Sequence, residues 1–452
     1  MMTHYLETKK QYPDCILFYR LGDFYEMFFD DALTASRELE ITLTGKECGL
    51  KERAPMCGVP YHAVDSYLYK LVQKGYKVAI AEQMEDPKTA KGLVKREVIR
   101  VVTPGTITSD QALEETKNNF LMGIVYVGDL FGVSVCDITT GEYLVTEVEG
   151  ERSLLDEIHK FGPSEIICNE AFYMSSVDVQ ELRERYHVAV SSLDGRYFSD
   201  DSCRKVLKEH FRVNNLEGLG LGDYDAGVIA AGAVMEYLYE TQKNSLSHIV
   251  TVTPYTTGQF MVIDTSTRRN LELVETLREK QRRGSLLWVL DKTKTAMGAR
   301  LMRTLIEQPL VQKEAILDRQ NAVEELNMSY ISREELREYL NPVYDLERLI
   351  GRISYKSASP RDLIAFRNSL EMLPHIKQLL GEFNSRMLKE IWQDLDPLED
   401  LCQLIGKAIV EDPPILTREG GIIKDGYHEE ADKLRHAKTE GTTWLAQLEA
   451  KE

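Results

Sequence analysis

The apolar positions of this chain change rhythm three times along its length. In residues 1–113 short apolar runs alternate with helical spacing. Cys15-Ile16-Leu17-Phe18-Tyr19 reads as a buried strand, ended by Gly22-Asp23. Tyr25, Phe28, Phe29, Ala32, Ser36 and Leu39 then recur at i, i+3, i+4, i+7, i+11 and i+14. That spacing predicts one helix, with Asp23 as its N-cap and Glu26 completing a capping box. A second helix is expected over Val64–Lys74, capped by Asp65 and stopped by Gly75. Val78–Ala81 and Val98–Val102 read as strands, the second broken by Pro104-Gly105.

From Asn119 the rhythm becomes that of an antiparallel meander. Phe120–Val127, Phe131–Cys136 and Glu142–Val148 are joined by Gly-Asp and Thr-Thr-Gly turns. Helices and strands alternate from there to an apolar helix over Ala226–Glu240, so residues 114–252 are expected to form a second α/β domain. Beyond Thr265 strand signals give out. Helices are expected over Asn270–Lys280, Ser285–Leu290, Gly298–Ile306, Lys313–Leu326, Arg333–Leu340, Leu346–Ile353 and Pro360–Leu380, with a last one over Tyr427–Glu452.

Composition narrows the class. The 452 residues are 43% hydrophobic and 28% charged, as in globular domains with sizeable cores. The net charge of −18 argues against a protein coated in basic charge, though it leaves room for a local nucleic-acid surface. Seven cysteines (Cys15, Cys48, Cys57, Cys136, Cys168, Cys203 and Cys402) are scattered without a Cys-x-x-Cys pair. They read as reduced thiols, not as a disulfide framework or zinc site. No apolar stretch approaches 18 residues and no signal-peptide pattern opens the chain, so a soluble intracellular protein is expected.

Catalytic signatures are scarce. Gly45-Lys46 is followed by Glu47 and Gly406-Lys407 by Ala408, so these 452 residues contain no phosphate-binding P-loop. Gly218-x-Gly220-x-Gly222 follows no clear strand and is a poor dinucleotide loop. Asp129 and Asp137, at strand ends, could form a nuclease-like carboxylate pair, although turn residues are the plainer reading. The unusual segment is Leu21-Gly22-Asp23-Phe24-Tyr25-Glu26-Met27-Phe28. A capping box explains Asp23 and Glu26, whereas Phe24, set off the apolar stripe, reads as an exposed aromatic.

That segment resembles the Gly-x-Phe-Tyr-Glu mismatch-recognition motif of the MutS family of bacterial DNA mismatch repair proteins. The likeness continues through Pro55-Met56-Cys57-Gly58-Val59-Pro60-Tyr61-His62-Ala63, Ala81-Glu82-Gln83 and Arg100-Val101-Val102-Thr103-Pro104-Gly105-Thr106. It extends to Asp264-x-x-Thr267-Arg268-Arg269-Asn270-Leu271-Glu272, Gly298-x-Arg300-Leu301-x-Arg303, Asp345-Leu346-Glu347-Arg348, Pro360-Arg361-Asp362-Leu363 and Gly420-Gly421-x-Ile423, in the family's order and spacing. The resemblance implies a multidomain chain: an α/β mismatch-binding domain over 1–113, a ribonuclease H-like α/β connector over 114–252, all-α core and lever helices over 253–417, and the start of a clamp over 418–452.

What the resemblance implies about chemistry is equally specific. Phe24 would wedge against the mispaired base from the minor groove and Glu26 would hydrogen-bond that base. Met56 and His62 would lie in a second minor-groove contact region. Lys95, Arg96 and Arg100 are the densest basic cluster of the first domain, expected as phosphate contacts or as a plain solvated face. Residues 1–115 carry 15 basic and 18 acidic side chains, so this domain is no electrostatic clamp, whereas residues 268–303 carry 10 and 4. No catalytic residue, cofactor or metal is expected in these 452 residues. In the full-length family ATP and Mg are bound by an ATPase domain, the protein is a homodimer, and the partners are mismatched double-stranded DNA and MutL. No membrane is involved, and the expected location is the bacterial cytoplasm at the nucleoid. Two rivals stand beside this reading: a nuclease on the ribonuclease H-like domain, and a relative specialised for branched DNA, against which Phe24 and Glu26 argue.

Overall fold

The computed structural model describes residues 1–47, 53–85, 94–109, 112–415 and 417–437. They fall into two compact units, Met1–Lys292 with Ala299–Gln312, and Thr293–Gly298 with the chain from Lys313 onward.

The first unit opens with a six-stranded sheet of β1 (Cys15–Leu21), β2 (Phe24–Phe28), β3 (Thr44–Lys46), β4 (Ala54–Pro60), β5 (Lys77–Gln83) and β6 (Arg96–Val102), in the order β3-β4-β2-β1-β5-β6. Helices α1 (Met2–Gln11), α2 (Phe29–Leu39) and α3 (Val64–Gln73) cover it. One sheet face buries Ile16, Phe18, Tyr25, Met27, Val59 and Val78 with Leu39 of α2 and Leu71 of α3. The other buries Leu17, Tyr19, Phe28, Ala79 and Ala81 against Tyr5 of α1. Each buried Ile, Leu, Val, Met or Phe among them is worth roughly 1.5–3 kcal/mol, and a one-residue slip would turn every one to the wrong face, so the register is firmly set.

Here the structure departs from the sequence expectation. Residues 24–28 are a strand, and the helix starts only at Phe29, whose φ of +54° makes the sharp break. Asp65 lies in the first turn of α3 and does not cap it, while Gly75, at φ +85°, does end it.

The second sheet contains β7 (Leu121–Val127), β8 (Leu130–Asp137), β9 (Glu142–Glu149), β10 (Glu165–Cys168), β11 (Ala189–Ser192) and β12 (Thr253–Pro254), ordered β11-β10-β7-β8-β9-β12. β7, β8 and β9 form the expected antiparallel meander; β10 adds parallel to β7, and β11 parallel to β10. This mixed sheet with its helices matches the α/β class expected for this stretch of the chain. Helices α4 (Glu151–Phe161), α5 (Val179–Arg185), α6 (Asp200–Phe211) and α7 (Asp225–Gln242) pack on it. α7 lies close to β8: a Cβ added at Gly132 would stand 2.1 Å from the Ala226 carbonyl oxygen.

The two sheets share a buried junction. Glu165, at the start of β10, is fully buried, and its carboxylate accepts hydrogen bonds from the Thr103 hydroxyl, Gly105 N (3.0 Å) and the Tyr237 hydroxyl of α7 (2.7 Å). Lys77 Nζ of β5 stands 3.7 Å away. Such a carboxylate is tolerable in the interior because its lone pairs are taken by donors.

Short helices α8 (Thr265–Asn270) and α9 (Leu286–Leu290) follow, then α10 (Ala296–Glu307). The expected helix Asn270–Lys280 is replaced by α8. Asp264 starts it early by accepting from Thr267 N at 2.7 Å, and Glu272, at φ +48°, turns the chain out of helical geometry. The second unit is helical: α11 (Lys313–Met328), α12 (Tyr330–Leu340), α13 (Leu346–Ser354), α14 (Pro360–Leu380), α15 (Arg386–Asp394) and α16 (Glu399–Ala408), the last two unforeseen from the sequence. Phe366, Leu370, Leu373 and Leu380 of α14 anchor its core with Leu349, Phe383 and Leu388. Ser359 and Asp362 cap α14 reciprocally. Of the helix expected over Tyr427–Glu452, residues 429–437 are helical and 438–452 lie outside the described residues.

Candidate functional site

The site is a β-hairpin tip. β1 and β2 pair antiparallel up to Leu21 opposite Phe24, leaving Gly22-Asp23 as a two-residue turn. Gly22 takes φ +60°, which glycine adopts at no steric cost and which the twist of such a hairpin favours. The turn is tied down from the side. Tyr61 N donates to the Asp23 carbonyl at 3.0 Å, Arg20 Nε donates to the Gly22 carbonyl, and the Arg20 guanidinium lies 3.9 Å from the centroid of the Tyr61 ring. Phe24, the first residue of β2, is 47% exposed. Its exposure matches the expectation; the helix and capping box that accompanied it are replaced by a hairpin.

The strand places the neighbours differently from a helix. Side chains alternate along β2, so Phe24, Glu26 and Phe28 share one face while Tyr25 and Met27 enter the core behind. Opposite them on β4 stand Pro60, Gly58 and Met56. Gly58 has no side chain to obstruct Glu26: a Cβ there would lie 3.6 Å from Glu26 Cγ and 3.2 Å from the Tyr25 carbonyl oxygen. Glu26 reaches an ion pair with Lys46 of β3, Nζ to Oε2 2.6 Å, and the same ammonium lies 5.5 Å from the Phe28 ring centroid. On the opposite face the Tyr25 hydroxyl donates to Glu82, which Arg20 approaches at 3.5 Å. Burial, reinforced by that carboxylate, pushes the Tyr25 phenol above its usual range. In the sequence Lys46 stands out only as the residue after Gly45 in an incomplete P-loop match. Strand pairing is what brings it to Glu26.

The remaining sequence candidates divide. Met56 is half-buried on the Phe24 face, opposite Phe28 and at the far end of β2 from the tip. His62 is exposed in a single 3-10 turn just beyond Pro60, the residue registered opposite Phe24. Lys95, Arg96 and Arg100 differ in exposure and do not form one exposed basic cluster. Arg96 is only 7% exposed, donating to the Arg20 carbonyl (2.7 Å) and the Val94 carbonyl (2.8 Å) with its guanidinium over Tyr19. Arg100 is half-buried and donates to the Thr106 carbonyl at 3.2 Å; exposed Lys95 pairs with Glu97 at 2.6 Å.

Asp129 and Asp137 flank opposite ends of β8, roughly 25 Å apart at the strand rise, so they cannot share a metal. Asp137 is buried and accepts from Asn119 N and from the backbone and hydroxyl of Thr139, a structural role. The Gly218–Gly222 loop forms a 3-10 turn ahead of α7, which packs on the sheet. Among the described residues no group of three or more His, Cys, Asp or Glu is placed to hold a metal, and no helix is long and apolar enough to cross a membrane. The six described cysteines are free; burial pushes the Cys57, Cys168 and Cys203 thiols up to about 12, and Cys48 lies outside the described residues.

Comparison with known proteins covers nearly the whole chain. Residues 1–111 match the model of MutS domain I, residues 119–250 that of MutS domain II, and residues 266–451 that of MutS domain III. Among similar proteins, the DNA mismatch repair protein MutS of Lachnoclostridium phytofermentans is 64% identical over 452 residues, covering all of this chain and 48% of the relative. Those of Ruminiclostridium cellulolyticum and Acetivibrio thermocellus are 51% and 50% identical over 453 and 455 residues, again covering all of this chain and 52% of each relative. The chain thus spans about half the length of the curated relatives it matches. With three successive MutS domains in order and relatives of this identity along its full length, the chain belongs to the MutS family.

Proposed function

We propose that this chain reads mismatches in double-stranded DNA for a MutS-type repair protein, with Phe24 as the wedge and Glu26 as the group that bonds the mispaired base. One observation carries the reading: a large aromatic stands exposed at a locked hairpin tip, with a carboxylate two residues along on the same face. Inserting an apolar wedge costs a few kcal/mol of unstacking per step. A mispaired step is already poorly stacked, so its cost is lower, and stacking on the ring returns roughly 1–3 kcal/mol for any base. Glu26 suits a selector, because a carboxylate among phosphates is repelled unless a base offers it a hydrogen bond. His62, beside the tip, and Met56 are assigned to the surrounding contact surface. Arg96 is assigned to the sheet and not to DNA.

The domain limits that go with this reading are 1–113 for mismatch binding, 114–252 for the connector, 253–417 for core and lever and 418–452 for the start of a clamp. The chain's signal would pass through connector and core to an ATPase domain that uses ATP and Mg, in a cytoplasmic homodimer that engages MutL. The test is a fluorescence-anisotropy titration of G·T and G·C duplexes with the full chain at two salt concentrations. Phe24→Ala should lower G·T affinity by about 5- to 150-fold and leave G·C affinity, which rests on phosphate contacts, nearly unchanged. A variant that kept the parent's G·T preference would reduce Phe24 to a surface residue.

A further inference from the structure

We propose that Lys46 is a specificity-determining residue of this site: it holds the Glu26 carboxylate in an ion pair in the free chain and on matched duplex, and yields it only to a mispaired base. The inference rests on the reading of Glu26 given above. Three features of the structure lead to it. The ammonium is 2.6 Å from Glu26 Oε2, and the two side chains are 34% and 18% exposed, so the pair sits at the rim, where it can open without unfolding anything. The sheet register holds both partners in place, with Lys46 opposite Ala54 and Glu26 opposite Gly58 on the intervening β4. The Glu26 side chain turns sideways across β4 toward β3 and away from the tip where Phe24 stands.

The pairing changes what a duplex meets. A lone carboxylate brought against the backbone is repelled by the phosphates, whereas a carboxylate in an ion pair presents no net charge. On a matched duplex no base edge competes for Glu26, and the pair persists. On a mispair the base donates to Glu26, and the freed ammonium turns to a nearby phosphate. One internal contact is exchanged for two contacts to DNA, with no proton moved. Lys46 therefore governs affinity for matched DNA more than affinity for a mismatch.

The experiment is a double-mutant cycle read by anisotropy on G·T and G·C duplexes, using the full chain with Glu26→Gln, Lys46→Met, both together, and Lys46→Arg. Lys46→Met should weaken G·C binding by roughly 2- to 5-fold, the scale of one exposed charge interaction, and G·T binding by less, so the mismatch preference rises. In the Glu26→Gln background the same change should weaken both duplexes equally, and Lys46→Arg should keep the parent's pattern. Equal weakening of both duplexes by Lys46→Met in the presence of Glu26 would make Lys46 an ordinary phosphate contact and overturn the inference. If Glu26→Gln alone shifts the G·T to G·C ratio while Lys46→Met acts identically in both backgrounds, only the role of Lys46 fails. If Glu26→Gln changes neither affinity, or the parent shows no G·T preference, the reading of Glu26 falls and the inference with it.

Discussion

At the scale of single residues, one strand face carries both an exposed and a buried aromatic. Phe24 and Phe28 share a face of β2, yet Phe24 is 47% exposed and Phe28 1%. Phe24→Ala should change unfolding free energy by no more than about 0.5 kcal/mol, as surface substitutions do. Phe28→Ala should cost roughly 3–5 kcal/mol, because it empties a site between Tyr5 and the sheet. Urea denaturation of the two variants checks the contrast; equal losses would mean that the Phe24 ring is packed. Glu26→Ala behaves differently from both. With the carboxylate gone the Lys46 ammonium loses its partner and can meet a phosphate, so matched-duplex affinity should rise, readable in the same anisotropy titration.

Among the elements, the sequence was most readable where one pattern dominated. The meander, the buried α7 and the span of α14 all follow from uniform periodicity. Residues 24–28 imitate a helix in the sequence because Asp23 and Glu26 mimic a capping box, and because Tyr25, Phe28 and Phe29 fall at helical spacing although they belong to a strand and to the helix after it. The competing signal was present: Gly22-Asp23 between two aromatic-rich runs is a hairpin turn. The exposure of Phe24 was legible; the Glu26–Lys46 pair was not, because it depends on strand pairing across twenty residues. Packing of elements gives a further test. Gly132→Ala should destabilise the second sheet by about 1–3 kcal/mol or more, since its Cβ would meet backbone of α7, which cannot rotate away. The same domain should be acid-sensitive. Burial lowers the pKa of His159, His210 and His248 below 6.5, so the folded chain keeps them neutral where the unfolded chain binds protons. Their contribution is therefore complete above about pH 6.5 and is lost as pH falls toward the lowered values. The thermal midpoint should drop between pH 7.5 and 5.5, and His248→Gln should flatten that slope.

For the whole molecule, the first expectation concerns what these 452 residues lack. With no Gly-x-x-x-x-Gly-Lys-Ser/Thr loop to cradle phosphates, the chain should neither bind nor hydrolyse ATP. Magnesium-dependent phosphate release that survives repurification would refute this. The second concerns Glu165, whose carboxylate gathers Thr103, Gly105 and Tyr237 from both sides of the junction between the sheets. Glu165→Gln should lower the thermal midpoint, because one of its oxygens becomes an amide that faces donors. That junction has a mechanical consequence. It lies just past β6, and its hydrogen bonds tie the segment that follows the first sheet to β10 and α7 of the second. On the reading proposed above, a duplex pressing on Phe24 would load both sheets together instead of opening a joint between them.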